Sequence, residues 1–199
     1  PSLNAANNAA KYFKDYKKAC VARQTLGKLI KADEEEIEYL SNVADSLKRC
    51  KTTADINEIK EELIKEGYIK KSAKRKAAEP KIGFRPEEYV SEDGFKILVG
   101  RNNVENDRLT MKFAAKSDLW FHVKNAAGAH VILITEGRQV SDSALLFAAS
   151  LAAKNSSLSA SQNIPVDYTL VKSVKKPNGA KAGMVIYETN KTLYVDPAK

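Results

Sequence analysis

Small and apolar residues recur with alternating spacings of four and three along the first 47 positions. Ala5, Ala9, Tyr12, Tyr16, Ala19, Arg23, Leu26, Ile30, Asp33, Ile37, Leu40, Ala44 and Leu47 keep that phase without a slip. Only Arg23 and Asp33 are charged on the seam, and after Pro1 the single interruption by a Gly or Pro is Gly27. A seam sustained for about six heptads is the signature of a coiled coil. One helix of that length runs on the order of 70 Å at 1.5 Å per residue. Asp33 followed by Glu36 also resembles a capping box that would start a second helix, but the unbroken phase from Ile30 to Ile37 favours one helix. An amphipathic helix cannot bury its own stripe, and no later segment offers a second seam of matching length. The pattern therefore calls for a partner helix or a second copy, which makes the chain a dimer or leaves the helix a mobile arm.

A short helix follows, with Asp55 as expected N-cap, Glu58 at N3, Ile56, Ile59 and Leu63 on its apolar face and Gly67 at its end. Between Lys70 and Lys81, six basic residues stand against Glu79 alone. This reads as an exposed spacer, with a phosphate-binding strap as the alternative. From about Gly83 the period turns to alternation. Tyr89–Ser91, Asp93-Gly94 and Phe95–Val99 predict a hairpin, and Leu119–Lys124 and His130–Thr135 two further strands. Ser141 to about Asn155 reads as a helix capped by Ser141 or Asp142. Val166–Val174, Met184–Tyr187 and Thr192–Val195 complete a sheet, with turns at Pro177-Asn178-Gly179 and Thr189-Asn190-Lys191. The predicted class is α+β: a coiled-coil arm and short helix (1–69), a basic linker (70–82), and a mixed β-sheet domain with one or two packed helices (83–199).

Of 199 residues 43% are hydrophobic, enough for a real core, and the net charge of +8 favours an anionic partner, nucleic acid being the usual one. The bias is strongest from Lys172 to the end, where six Lys face only Glu188 and Asp196. Cys20 and Cys50 lie far apart without metal-ligand spacing and read as reduced thiols of a cytoplasmic protein. No apolar run reaches the roughly 20 residues of a membrane span and no signal peptide opens the chain. A start at Pro1 without Met suggests a piece of something longer.

The one Trp and both His fall within Asp118-Leu119-Trp120-Phe121-His122-Val123-Lys124 and Gly128-Ala129-His130. Alternation on a strand sets Asp118, Trp120 and His122 on one face, with His130 opposite on the next strand. A two-His, one-carboxylate metal site is permitted by that geometry, but no paired-His spacing supports it, and a His–Asp hydrogen bond is the plainer reading. Nothing in the sequence asks for a cofactor. Ser117 lacks a nucleophile elbow, no phosphate-binding loop is present, and an enzyme is not expected. Trp120 could instead stack on a base with Lys124 on phosphate, or be core; Phe121 and Val123 should be core in either case. Lys175, Lys176 and Lys181 project from a turn shaped by Pro177 and Gly179, as a phosphate grip or a solvated turn. Arg101, Arg108 and Lys112 flank an expected turn at Asn106-Asp107 and form a third, weaker basic group.

These motifs carry a resemblance. Asn106-Asp107-Arg108-Leu109-Thr110, the stretch from Asp118 to Lys124, Gly128-Ala129-His130-Val131 and Val174 to Lys181 resemble the NFACT-R domain of the ribosome-quality-control NFACT proteins, often labelled fibronectin-binding protein A-like in bacteria. Residues 4–16 and 56–68 look like the returning arm and end of that family's middle coiled coil. The resemblance implies an RNA-binding module that meets the large ribosomal subunit and tRNA, where alanine tails are added to obstructed nascent chains. It implies that the first arm of the coiled coil and a tRNA-reading N-terminal domain lie elsewhere. His122, His130 and the Lys175–Lys181 turn are the expected RNA contacts, with Asp118, Asn106, Asp107, Gly128 and Gly179 supporting them, and the recurrence of the Lys turn in the family strengthens its part of that reading. Ala127-Gly128-Ala129 and Ala182 depart from the family's usual Pro-Gly-Ser and Pro-Gly, which leaves the turns to Gly128 and Gly183. The competing expectation is an anchorless surface adhesin that binds host fibronectin.

Overall fold

The computed structural model describes residues 4–70 and 83–198. The expected basic spacer therefore falls, apart from Lys70, outside the described residues. The first 49 residues contribute one helix, α1 (Ala5–Arg49), and Asp33 does not break it. Up to Glu38 it forms a unit of its own, on which the seam residues Tyr12, Tyr16, Leu26, Ile30 and Ile37 are exposed.

The second unit starts at Tyr39. Here Tyr39, Asn42, Val43 and Ser46 are buried while Leu40, Ala44 and Leu47 stay exposed. The face that docks the end of α1 is thus turned about one residue away from the heptad seam, which no described residue covers in this unit. Tyr39 and Val43 pack with Ile59 of α2 (Thr53–Lys65), joined by Leu63, Cys50 and Met184. The cap of α2 sits one turn earlier than expected. Thr52 is the N-cap: its hydroxyl accepts from the Asp55 N–H, and the Asp55 carboxylate accepts from the Thr52 N–H. Thr-x-x-Asp satisfies both orphan donors reciprocally, so Glu58 is released for long-range contacts.

Six strands form the main sheet: β1 (Glu87–Val90), β2 (Lys96–Val99), β3 (Leu119–Val123), β4 (Val131–Leu133), β5 (Ile164–Leu170) and β8 (Lys191–Val195), in the order β1-β2-β4-β3-β5-β8. Among the described residues every pairing in it is antiparallel, a correction to the mixed sheet expected from sequence. α4 (Asp142–Lys154), capped by Ser141, carries the chain from β4 to β5 across β3, so strands of like direction never become neighbours. Val166–Val174 is not one strand: after Leu170 a short 3-10 turn (Val171–Ser173) intervenes, and β6 (Val174–Lys175) pairs with β7 (Ile186–Tyr187) as a separate ribbon.

Alternation on the sheet builds two cores. Phe121, Val123, Val131, Leu133, Ile97 and Val99 pack with Ala144, Ala148, Ala149 and Ala152, whose small side chains bring α4 close. The opposite face, with Leu98, Trp120 and Ile132, is covered by Leu109, Val171 and Val174. The cover begins around Asn106-Asp107, where sequence suggested a turn or the cap of a helix. Asn102 caps a helix, α3 (Asn103–Arg108), by accepting from the Glu105 N–H, and a π-helical turn (Leu109–Phe113) prolongs it. Asn106 and Asp107 lie inside that helix.

α2 is tied to this cover through carboxylates. Glu58 accepts from Asn102 Nδ2 at 3.0 Å, and Glu62 from Asn103 Nδ2 at 3.1 Å and the Tyr39 hydroxyl at 2.8 Å. Burial pushes the Glu62 carboxyl above its usual range, against the two hydrogen bonds that favour its ionised form.

Candidate nucleic-acid interface

Trp120 is fully buried and His130 is 2% exposed. The indole stacks on His122 at 5.7 Å, meets His130 edge-on at 5.3 Å, and lies 4.8 Å from the ring of Tyr187 on β7. A base cannot reach it. The face predicted to be either core or a stacking surface is core, because the π turn and the β6–β7 ribbon close over it. Neither imidazole is a cationic contact either. Burial pushes His122 down to about 4, and burial with the neighbouring His122 drives His130 below its ordinary range. Both are neutral at pH 7 and offer no charge to a phosphate. His130 instead ties the cover down: its Nδ1 lies 2.8 Å from Thr110 Oγ1, and its N–H donates to Asn106 Oδ1 at 3.1 Å.

The expected His–Asp118 hydrogen bond gives way to a backbone clamp. Asp118 accepts from the Ala115 N–H at 2.8 Å and the Thr135 N–H at 2.9 Å. It precedes β3 in a turn, so strand alternation does not extend to it. The carboxylate that faces His122 is Asp167, its partner on β5. Asp167 accepts from the Tyr187 hydroxyl at 2.9 Å and Thr192 Oγ1 at 2.5 Å, with Lys124 Nζ at 3.8 Å. No three His, Cys, Asp or Glu side chains converge on a possible metal position among the described residues.

The Lys175–Lys181 turn is held inward at two of its three ammonium groups. Lys176 pairs with Asp107, whose other oxygen accepts from the Gly183 N–H at 3.0 Å. Lys181 meets the Tyr68 hydroxyl and sits 4.8 Å and 4.7 Å from the ring centroids of Tyr39 and Tyr68. Gly179 makes the turn at φ +79°. Gly183 combines φ +78° with a close approach to Asn103, where a Cβ would stand 2.9 Å from Oδ1. Gly128 has another task than the expected turn. A Cβ there would meet Val123 Cγ2 at 2.9 Å, and its N–H donates to Asn42 Oδ1 at 3.1 Å. Arg101 is likewise removed from the expected phosphate contacts, because it pairs with Asp55, with Glu58 at 3.4 Å and with Glu105 at 3.0 Å. The Arg108 guanidinium lies over the ring of Phe84 at 5.5 Å.

The fold assembles a different basic surface. Residues 108–117 hold Arg108, Lys112 and Lys116 and no acid; residues 168–187 hold Lys172, Lys175, Lys176 and Lys181 and no acid. Folding joins these two segments. The Lys172 N–H donates to Lys116 O at 3.3 Å, with the Val171 N–H donating to O of Asp118 just past the first segment at 2.9 Å, and both segments rest on Trp120. Lys112, Lys116, Lys172 and Lys175 are exposed, and none makes an ion pair with a described residue. Lys172 was legible as the start of the Lys-rich tail. Lys116 carried no signal of its own, because only tertiary pairing sets it beside Lys172.

Residues 1–81 match the family model described as NFACT N-terminal and middle domains, and residues 85–188 match the NFACT protein RNA binding domain. The chain belongs to the NFACT family. It is 41% identical over 199 residues to the Rqc2 homolog RqcH of Streptococcus suis, covering all of this chain and 35% of that protein. Against the Rqc2 homolog RqcH of Bacillus subtilis the identity is 37% over 202 residues, covering 99% and 34%. This NFACT chain therefore spans about a third of the length of the curated relatives it matches. Its fold is similar, with a TM-score of 0.87 and 40% identity, to the C-terminal part of the fibronectin/fibrinogen-binding protein from Streptococcus suis, covering all of this chain and 78% of that one. The basic surface lies wholly inside the RNA-binding match.

Proposed function

We propose that this chain is the RNA-contacting part of a ribosome-quality-control factor, and that it holds RNA of the large ribosomal subunit through Lys112, Lys116, Lys172 and Lys175. The observation that carries the reading is the junction of two acid-free segments, with four exposed ammonium groups, inside the match to an RNA binding domain. Surface lysines of this kind bind phosphates and release counterions, which makes the affinity salt-dependent. The role is binding rather than catalysis. In the full-length protein it would hold obstructed large subunits while tRNA-dependent alanine tailing proceeds. The exposed heptad seam of α1 would be closed by a helix from outside this chain or from a second copy.

The test is co-sedimentation of the chain with purified large subunits at about 50 and 200 mM salt. The expected result is binding that falls steeply with salt. In the Lys112→Glu/Lys116→Glu/Lys172→Glu/Lys175→Glu variant it should drop by at least about 100-fold, with a salt slope shallower by about one for each phosphate no longer held. Equal binding by the variant would contradict the assignment. Fibronectin binding, which the Streptococcus suis protein of similar fold carries in its name, is the second reading; salt-insensitive capture of fibronectin by β-strand addition would raise it.

A further inference from the structure

The basic surface contains an aromatic side chain that its charge does not explain. Phe113, the last residue of the π-helical turn, is 53% exposed. Its ring lies 5.2 Å from that of Phe84 at an interplanar angle of 38°. Phe84 is partly buried against the core beneath, and the Arg108 guanidinium lies over it. Phe113 is thus braced by Phe84 while much of its surface meets solvent. The π turn produces this presentation. The Ala114 N–H reaches back five residues to Leu109 O at 2.9 Å, and Met111, Lys112 and Phe113 all become exposed in succession. Single-turn π bulges concentrate at functional sites. Lys112 adjoins the ring in the chain, Lys116 follows three residues on, and Lys172 is joined to Lys116 through the backbone.

We infer that Phe113, backed by Phe84 and Arg108, is a stacking platform for an unpaired nucleobase, so that this surface takes single-stranded or looped RNA rather than continuous duplex. The inference rests on the RNA-binding reading and adds which form of RNA is bound. The occupant follows from two properties together. Four exposed cations that make no ion pair with a described residue select a polyanion, and a braced, half-exposed ring selects a flat apolar partner. A nucleotide strand with splayed bases offers both. In duplex RNA the base faces are buried in the stack and cannot lie on a side chain.

The test measures the affinity of the whole chain for a fluorescein-labelled single-stranded RNA of about a dozen nucleotides, and for the same sequence as a duplex, by anisotropy over a range of salt. Phe113→Ala should weaken the single strand roughly 5- to 100-fold, leave the duplex unchanged and leave the salt slope unaltered. Phe113→Trp should restore the affinity. The ring is half-exposed, so the fold is expected to survive, and the unfolding midpoint of each variant checks this. Lys112→Ala/Lys116→Ala should instead weaken both RNAs and flatten the salt slope. If the lysine variant weakens binding and Phe113→Ala does not, the platform is overturned and the RNA reading stands. If the wild-type chain binds neither RNA, both are overturned. Loss of large-subunit binding in Phe113→Ala with unchanged oligonucleotide affinity would assign the ring to a protein contact, which also overturns the platform.

Discussion

Trp120→Ala is expected to destabilise the β-sheet domain by about 3–5 kcal/mol, the range for removing a large buried aromatic ring. That is a large share of the roughly 5–15 kcal/mol of a typical domain. The indole is fully buried between the sheet and its cover, in contact with His122, His130 and Tyr187. Chemical unfolding followed by circular dichroism measures the loss. Trp120→Phe should cost much less, because the indole N–H meets no acceptor among the described residues; the change then removes volume and no hydrogen bond. Function separates support from contact here. Trp120→Phe should keep RNA affinity, whereas a base-stacking Trp120 would give a stable Phe variant with altered binding and no change in the unfolding midpoint.

The second large effect is in acid. Burial holds His122 at about 4 and His130 below its ordinary value, so between pH 6.5 and about 4 these two imidazoles bind more protons in the unfolded chain than in the folded one. Their share of the stability then rises with pH across that window. It is fully present above about pH 6.5 and is lost as the pH falls toward 4. His122 alone accounts for on the order of 3 kcal/mol of that change at about 1.4 kcal/mol per pKa unit. Glu62 and Asp45 titrate in the opposite sense, since burial raises them and their protonation at low pH relieves a cost. The His share is therefore read as a difference between wild type and His122→Asn across the window. A wild-type curve parallel to that of the variant would mean that His122 is not held neutral by the fold.

The α+β class, the long helix, the Asp93-Gly94 hairpin and the α4 helix were legible because each rests on local periodicity or turn chemistry. So was the division of β3 into an α4-facing side, Phe121 and Val123, and a side bearing Trp120 and His122. What lay over that second side was not legible. Its cover comes from residues 103–113 and 171–187, distant in sequence, and the π turn has no periodic signature. The candidate site was legible only in part for the same reason: Lys112 and Lys175, expected as contacts, are exposed. Lys176, Lys181 and Arg101 look like phosphate contacts in a linear reading, and each is claimed in the fold by Asp107, by Tyr39 and Tyr68, or by Asp55, Glu58 and Glu105. Lys116 looks ordinary in sequence and is set beside Lys172 only by the backbone hydrogen bond between them. The heptad seam is a further case: its phase is unmistakable, yet the end of α1 from Tyr39 onward packs by the neighbouring face of Tyr39, Val43 and Ser46.

Ultraviolet cross-linking of the chain to large ribosomal subunits, with nucleotide adducts located by peptide mass spectrometry, addresses the central claim most directly. Adducts on peptides covering Met111–Lys116 and Lys172–Lys175 are the predicted result. Adducts confined to Trp120–Lys124, to the Lys176–Lys181 turn or to α1 would contradict it.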